Sequence, residues 1–411
     1  MSIITGLDIG TSKVACLVGE WDQRGRIRVL GVGVVPAQGI KKGLIINADA
    51  ATEAIIGAVE KAERASGFKI HEAMVGVAGH HISALNSRGT VTINHPNHNI
   101  DSEDVTRVLK AARTIAIPYS QEVIHVVPRA YWLDGLNGVI DPVGLHAYRL
   151  EVEAHIVTAG VTPLQTIKQC CEAAGVMPRA LILEPLASGE AVLTEDEKEL
   201  GVALVDIGAG TTDISIFLEG AIWQTVSLPV GGFHFSHDLA VGLQCSWGVA
   251  EHIKKRYATA FATQVTDHSP IEVPHFGDGL QQIFTRQDVA EIIEYRVADI
   301  FELLLREIKR SGYDGLLPAG LVFCGGSSQL AGLKEAAGDF FDLPVRVAVP
   351  QNLSGQVDVL RNPAYATSVG LLGWGLRHHT PRRSRYRNVS QYRRSSWTKR
   401  IRTLLAALLP F

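Results

Sequence analysis

Apolar positions along this chain fall into short runs broken at glycines, and two of these runs share one layout. Residues 3–18 read as strand, tight polar turn, strand, with the turn at Gly10-Thr11-Ser12-Lys13. Residues 200–216 repeat it as an apolar run, then Asp206-Ile207-Gly208-Ala209-Gly210-Thr211-Thr212-Asp213, then a second apolar run. Short apolar runs bounded by turn residues fit strands buried on both faces. Elsewhere the period is helical. In 47–67, Ala50, Ala54, Ile55, Ala58, Val59 and Ala62 share a face; in 286–311, Val289, Ile292, Ile293, Val297, Ile300, Phe301 and Leu304 do so. Further helices are expected over 163–175, 184–192, 235–242 and 248–259, and strands over 74–78, 180–183 and 320–324.

Residues 83–160 have a different texture. Strand-like 89–93 leads into an Asn/His/Pro loop, Asp101 or Ser102 caps a helix over 103–115, and strands follow near 123–127 and 150–157. This is the pattern of a small inserted α/β subdomain. A Pro/Gly/Asp-rich patch at 268–279 reads as a loop or hairpin.

With 411 residues, two or more subdomains are expected. The net charge of −3 leaves no global field for nucleic acid, and none is expected as a partner. The charge is unevenly spread: beyond Leu376 there are ten basic residues and no acid, which leaves 29 basic against 42 acidic residues before it. Such a split points to a tail with its own partner. Five scattered cysteines favour a reducing compartment over a disulfide framework, with Cys170 and Cys171 sharing a helix and one thiol buried. Asp8 and Lys13 interrupt the first apolar stretch, so it does not read as a signal peptide, and no charge-free run approaches the length of a membrane span.

The paired hairpins carry the chemistry. Glycines let a turn approach a phosphate, and their amides, with Thr and Ser hydroxyls, can ring its oxygens. Asp8 and Asp206, each ending a strand, offer hard oxygens to Mg²⁺, often through water. One Asp-x-Gly hairpin is weak; two on apolar strands 198 residues apart are not. Candidate binding residues are Asp8, Gly10, Thr11, Ser12 and Lys13, then Asp206, Gly208, Gly210, Thr211, Thr212 and Asp213. Gly325, Gly326, Ser327 and Ser328 end a strand where backbone can lie flat on a purine and sugar, and Gly231-Gly232 is a further close-approach turn. Glu251 and Lys254 stand one helical turn apart, as a surface ion pair or as nucleotide ligands. The histidine pairs His80/His81, His95/His98 and His378/His379 lack carboxylate or thiol companions at metal spacing and read as loop or surface residues.

The last seventeen residues form a basic amphipathic pattern. As a helix, Trp397, Ile401, Leu404, Leu405 and Leu408 line one face, with Lys399 and Arg402 opposite and Arg400 at the border; Phe411 closes the chain. Behind a basic linker this is the signature of an in-plane anchor on anionic lipid; the alternative is a helix docked on the protein's own body.

The two hairpins and the Gly-Gly-Ser-Ser turn resemble the actin/Hsp70/sugar-kinase superfamily over residues 1–375. That implies two ribonuclease-H-like halves closing on ATP and Mg²⁺. Within it the chain resembles the FtsA family of bacterial cell-division proteins, on three features: the inserted segment with Val126-Val127-Pro128 and Asp141-Pro142-Val143-Gly144-Leu145, the stretch from Val192 to Val202 into the second hairpin, and the terminal Ser-Trp-x-Lys-Arg helix. The resemblance implies an α/β actin-like ATPase fold: a first lobe at 1–82 and 161–195, an insert at 83–160, and a second lobe at 196–245 and 316–376 with its small subdomain at 246–315. A linker at 377–394 and a C-terminal amphipathic helix at 395–411 complete it. It implies at most slow ATP turnover, actin-like self-association and recruitment of later division proteins. It also implies tethering of the tubulin-like protein FtsZ, by its C-terminal tail, to the inner face of the cytoplasmic membrane at the division site. Family members grip the FtsZ tail with an arginine in Arg-x-x-Glu; Arg296 matches it, but Asp299 is one methylene shorter. Glu184 stands where Hsp70-like members carry a carboxylate near the attacking water; its other reading is a helix N-terminal carboxylate favoured by the dipole. The competing readings are a sugar or acetate kinase, for which no general base is evident, and a type IV pilus inner-membrane assembly protein, which typically lacks the terminal helix.

Overall fold

The computed structural model describes residues 3–267, 269–276 and 280–378. The chain opens with β1 (Ile4–Ile9), β2 (Lys13–Trp21), β3 (Ile27–Pro36) and a small hairpin, β4 (Ile40–Lys41) and β5 (Leu44–Ile45). Then come α1 (Ala48–Ser66) and β6 (Glu72–Val77). The insert holds β7 (Ile82–Thr92), α2 (Ser102–Arg113), β8 (Gln121–Leu133), β9 (Leu136–Val139) and β10 (Arg149–Gly160). It is followed by α3 (Val161–Ala173), β11 (Met177–Leu183), α4 (Glu184–Val192) and α5 (Glu195–Leu200). The second lobe contributes β12 (Val202–Ile207), β13 (Thr212–Leu218), β14 (Ala221–Leu228), α6 (Gly232–Gly242) and α7 (Trp247–Tyr257). A hairpin, β15 (Pro270–Pro274) and β16 (Gln281–Thr285), precedes α8 (Arg286–Ser311), β17 (Leu321–Cys324), α9 (Leu333–Phe341) and β18 (Val345–Val347). Strand β19 (Leu353–Gly355) and α10 (Ala366–His378) close the described chain.

Two sheets share one plan. The first runs β11-β6-β1-β2-β3-β19 and the second β14-β13-β12-β17-β18. In each, an antiparallel three-strand meander (β1-β2-β3, β12-β13-β14) is extended by strands parallel to its first member. Every residue of β1 and β12 is buried, as strands covered on both faces must be. The segment 316–376 also supplies β19 to the first sheet, beside β3.

Local chemistry sets the helix ends. Asn47 caps α1 by accepting from Ala50 N–H, and Gly67 closes it at φ 76°. Ala51, not Ala50, joins the buried face of α1, because Ala50 belongs to the partly exposed first turn. Asp101 rather than Ser102 caps α2, in a reciprocal box with Asp104. Thr285 and Asp288 form the same device at the start of α8. All five cysteines are buried, so both Cys170 and Cys171 point inward rather than one.

One hydrophobic core joins the two lobes. It takes Ile4, Leu17 and Met74 from the first sheet, Leu204, Phe217 and Val322 from the second, and Leu186, Ala187, Val369 and Leu372 from α4 and α10 between them. These two helices are in backbone contact, since a Cβ on Gly370 would lie 1.8 Å from the Ala187 carbonyl oxygen. The insert packs its own sheet, β7-β10-β8-β9, on α2, and leans on β14. There His155 Nε2 lies 3.0 Å from Thr225 Oγ1, and the Arg129 guanidinium sits 3.6 Å over the Trp223 ring. No described helix is long and apolar enough to cross a membrane.

Candidate functional site

The two duplicated turns close alike. Gly10 N–H donates to Lys13 O at 3.0 Å, and Gly208 N–H to Thr211 O at 2.9 Å. Each turn follows an aspartate at the penultimate position of its strand, and both turns face one cleft of about 690 Å³ between the lobes. Asp8, Gly10, Thr11, Ser12 and Lys13 line it from one side, and Asp206, Gly208 and Thr211 from the other. The remaining residues of the second motif stand behind its wall: Thr212 Oγ1 donates to Val230 O at 2.8 Å, Asp213 is buried, and Gly210 abuts Thr11 and Lys42 of the opposite lobe.

Acids crowd the cleft floor. Asp8 and Asp206 are 5 % and 8 % exposed, and Glu184, the first residue of α4, lines the same space. Burial pushes the Asp8 carboxyl up, against the pull of Lys13 and Ser368, and nearby Asp206 adds to the rise. Burial raises Glu184 well above the ordinary carboxylate range, reinforced by Asp8, Asp213 and Asp206. Burial likewise pushes Asp213 up to about 7, against hydrogen bonds from Ser227 and Thr211 and with a further rise from Asp206. Lys13 is the cation at this end; its Nζ donates to Ala364 O at 2.6 Å and lies 5.0 Å from the Tyr365 ring centroid.

The far wall comes from the second lobe. Gly325 sits at φ 83°, and a Cβ there would lie 2.3 Å from Asp206 Oδ1, so only glycine fits. Gly326 and Ser327 line the cleft, whereas Ser328 is buried and donates to Gly325 O at 2.8 Å. Gly232 also lines it, its N–H bound to Gly208 O, while Gly231 packs on the second hairpin's carbonyls. Glu251 and Lys254 form a 2.6 Å ion pair on α7 in the cleft wall, and Lys254 Nζ also reaches Gly232 O and Ser236 Oγ. Burial raises the Glu251 carboxyl, but hydrogen bonds from Lys254 and Ser236 outweigh it and leave it below the ordinary value.

Several lining residues escaped the sequence reading. Lys255, Arg256 and Arg286 bring positive charge to the outer part, and Gln329 and Leu330 follow the Gly-Gly-Ser-Ser turn. Thr367 reaches the floor from α10. The arginines carried no motif, because they stand on ordinary helix surfaces that only the fold turns inward.

Other candidates lie elsewhere. Arg296, on α8, donates from Nε and Nη2 to the two carboxylate oxygens of Asp238, and from Nη1 to Asp299 at 3.2 Å. The fork onto Asp238, 58 positions back along the chain, was invisible in the sequence. His95 corrects an expectation: it has carboxylate neighbours, with Nε2 3.2 Å from Asp101 Oδ2 and 3.1 Å from Asp104 Oδ2, because the loop at 94–99 folds back over the start of α2. The candidate anchor residues Trp397, Lys399, Arg400, Ile401, Arg402, Leu404, Leu405, Leu408 and Phe411 lie outside the described residues.

Two lobes of one topology, joined by a shared helical floor and facing a cleft with a duplicated hairpin from each, define the actin-like ATPase fold. Solved structures of that class superpose on the chain. The PilM–PilN type IV pilus biogenesis complex does so with TM-score 0.66 at 16 % identity, over 91 % of this chain and 98 % of that one. MreB5 of Spiroplasma citri bound to ADP does so with TM-score 0.55 at 14 % identity, over 90 % and 95 %. At such identities the likeness, that to the pilus complex included, is one of fold. Sequence goes further. A model of "Cell division protein FtsA" matches residues 203–370, and one of "SHS2 domain inserted in FTSA" matches residues 79–158. Cell division protein FtsA of Pseudomonas aeruginosa is 45 % identical over 374 residues, 91 % of this chain and 89 % of its own. That of Escherichia coli (strain K12) is 33 % identical over 410 residues, 98 % and 97 %. The chain belongs to the FtsA family of cell division proteins.

Proposed function

We propose that this chain binds ATP with Mg²⁺ in the interlobe cleft, self-associates in an actin-like manner, and tethers FtsZ filaments to the inner face of the cytoplasmic membrane while recruiting later division proteins. The observation that carries the nucleotide reading is the pair of Gly-closed turns, each beside a buried aspartate, facing one cleft. The donor set fits the ligand. Like charges at buried Asp8 and Asp206 and at half-buried Glu184, with Lys13 as counter-ion, are what a divalent cation would compensate. Turn amides suit phosphate oxygens, and the Glu251–Lys254 pair suits a ribose with its hydroxyls. Mg²⁺ would supply charge neutralisation at the phosphates. Glu184 would orient water; its raised affinity for a proton makes it a base only when positive charge offsets Asp8 and Asp206, which supports slow turnover.

Membership of the FtsA family supports the tether, and the basic amphipathic pattern at 395–411 supports the lipid contact. Arg296, with Asp299, is proposed to take the FtsZ tail, a role that requires exchanging part of its fork onto Asp238. Co-sedimentation with anionic-lipid vesicles tests the proposal, comparing the full chain with one ending at Ser390. Binding by the full chain alone, with FtsZ tail peptide carried down by it and not by an Arg296→Ala variant, is the expected result. Equal sedimentation of both chains would overturn the tether.

A further inference from the structure

Both aspartates of the cleft floor are held from behind by hydroxyl groups. Ser368 Oγ donates to Asp8 Oδ2 at 2.6 Å. Ser188 Oγ and Thr367 Oγ1 donate to Asp206 Oδ2 at 2.8 and 3.2 Å, and these two hydroxyls lie 3.0 Å apart. Thr367 and Ser368 are consecutive residues in the first turn of α10, so one helix end reaches the acid of each lobe. Ser188 stands one turn after Glu184 on α4, so that helix offers a carboxyl to the cleft and a hydroxyl to Asp206 from neighbouring positions on one face. All three hydroxyl residues are buried. A buried hydroxyl is costly without a partner, and an alanine or valine would fill the same space at no such cost.

The bonds are one-sided. In both aspartates the hydroxyls take Oδ2, while Oδ1 lies beside a cleft glycine: Asp8 Oδ1 next to Gly10, Asp206 Oδ1 next to Gly325. Tying one oxygen fixes the carboxylate plane and aims the other.

We propose that Ser188, Thr367 and Ser368 are positioning residues that lock Oδ2 of Asp206 and Asp8, so that the two Oδ1 atoms converge on a single divalent cation carried by the nucleotide. The proposal rests on the Mg²⁺–nucleotide reading of the cleft. Hydroxyls that only relieve buried charge would affect folding and binding alike; hydroxyls that aim ligands act on the metal-dependent part. Outer-shell partners of metal ligands typically contribute about 10- to 100-fold in metal affinity.

The experiment uses the full chain and its Ser188→Ala, Thr367→Val, Thr367→Ser and Ser368→Ala variants. Affinity for a fluorescent ATP analogue is measured in Mn²⁺ and in EDTA, the bound Mn²⁺ is followed by electron paramagnetic resonance, and thermal unfolding is recorded without nucleotide. Ser368→Ala and Thr367→Val should each lower Mn²⁺-dependent affinity by about 10-fold or more and alter the Mn²⁺ spectrum; the affinity in EDTA should be unchanged for Ser368→Ala, which lies behind the cleft lining, and should fall less than the affinity in Mn²⁺ for Thr367→Val. Thr367→Ser, which keeps the hydroxyl, should restore both readouts. Equal losses in Mn²⁺ and EDTA, or wild-type spectra in every variant, would overturn the positioning role while leaving the nucleotide site in place. Parental protein that binds the analogue no better in Mn²⁺ than in EDTA would overturn the Mg²⁺ reading and this proposal together.

Discussion

The two hairpins of the cleft are alike in backbone and unlike in charge. Each sets a glycine amide on the carbonyl three residues on, and each follows a buried aspartate. At the position paired with that aspartate across the hairpin, the first has Ala15 and the second Asp213. At the fourth turn position the first has Lys13 and the second Thr211. The first hairpin is thus locally neutral, and the second carries two acids and no base. The duplicated fold thus supplies the shape while charge is divided between the two turns: the base stands in the first hairpin and the excess of acid in the second.

The largest effect should come from the acid that has no counterpart. Folded Asp213 holds its proton to about pH 7, against an ordinary 3.8. The folded state therefore binds more protons than the unfolded chain between those values, and stability falls as pH rises through that window. At about 1.4 kcal/mol per tenfold change in proton affinity, the full span is about 4 kcal/mol. In nucleotide-free protein, Asp213→Asn should flatten the decline of the apparent melting temperature from pH 5 to 8. Asp8 and Glu184 are raised too, so the slope should shrink rather than vanish. An unchanged slope would show that Asp213 is not the uncompensated acid.

Next in size is the acid that both hairpins share. Asp206→Ala should weaken Mg²⁺–nucleotide binding by more than about 100-fold, beyond what outer-shell partners typically contribute, and equilibrium binding of a fluorescent analogue would read it. Comparable affinity in the variant would mean that the lobes do not share the ion.

The smallest effect tests the turns themselves. A Cβ on Gly210 would lie 2.7 Å from Thr11 Oγ1 and 2.9 Å from Lys42 Cα, so Gly210→Ala must push the lobes apart at a cost of about 1–3 kcal/mol. Its counterpart Ser12 is exposed, and Ser12→Gly should stay within about 0.5 kcal/mol. Denaturant midpoints that moved equally for both would remove the asymmetry of contact between the hairpins.

Most of the cleft was legible because its parts are local: an apolar strand, a glycine turn and an aspartate form one short word, and the word occurs twice. What escaped depends on tertiary placement. The hydroxyls of Ser188, Thr367 and Ser368 look like small fillers in apolar helices, and only the crossing of α4 and α10 sets them on Asp206 and Asp8. Strand β14 was missed because a bulge opposite Ile216/Phe217 breaks its alternation and buries Ile222 and Thr225, three residues apart. His95 meets Asp101 and Asp104 through a loop reversal that no spacing rule records.

Helix α10 has a mechanical consequence. Its first turn grips an acid of each lobe, and its last is braced on α4 by Arg377 on Glu190 at 2.6 Å. Thirteen residues make a strut of about 20 Å. A displacement of its last turn would be shared between the interlobe core, where Val369, Leu372 and Leu376 are packed, and the two carboxylates, so the far end of α10 and the cleft floor are mechanically linked.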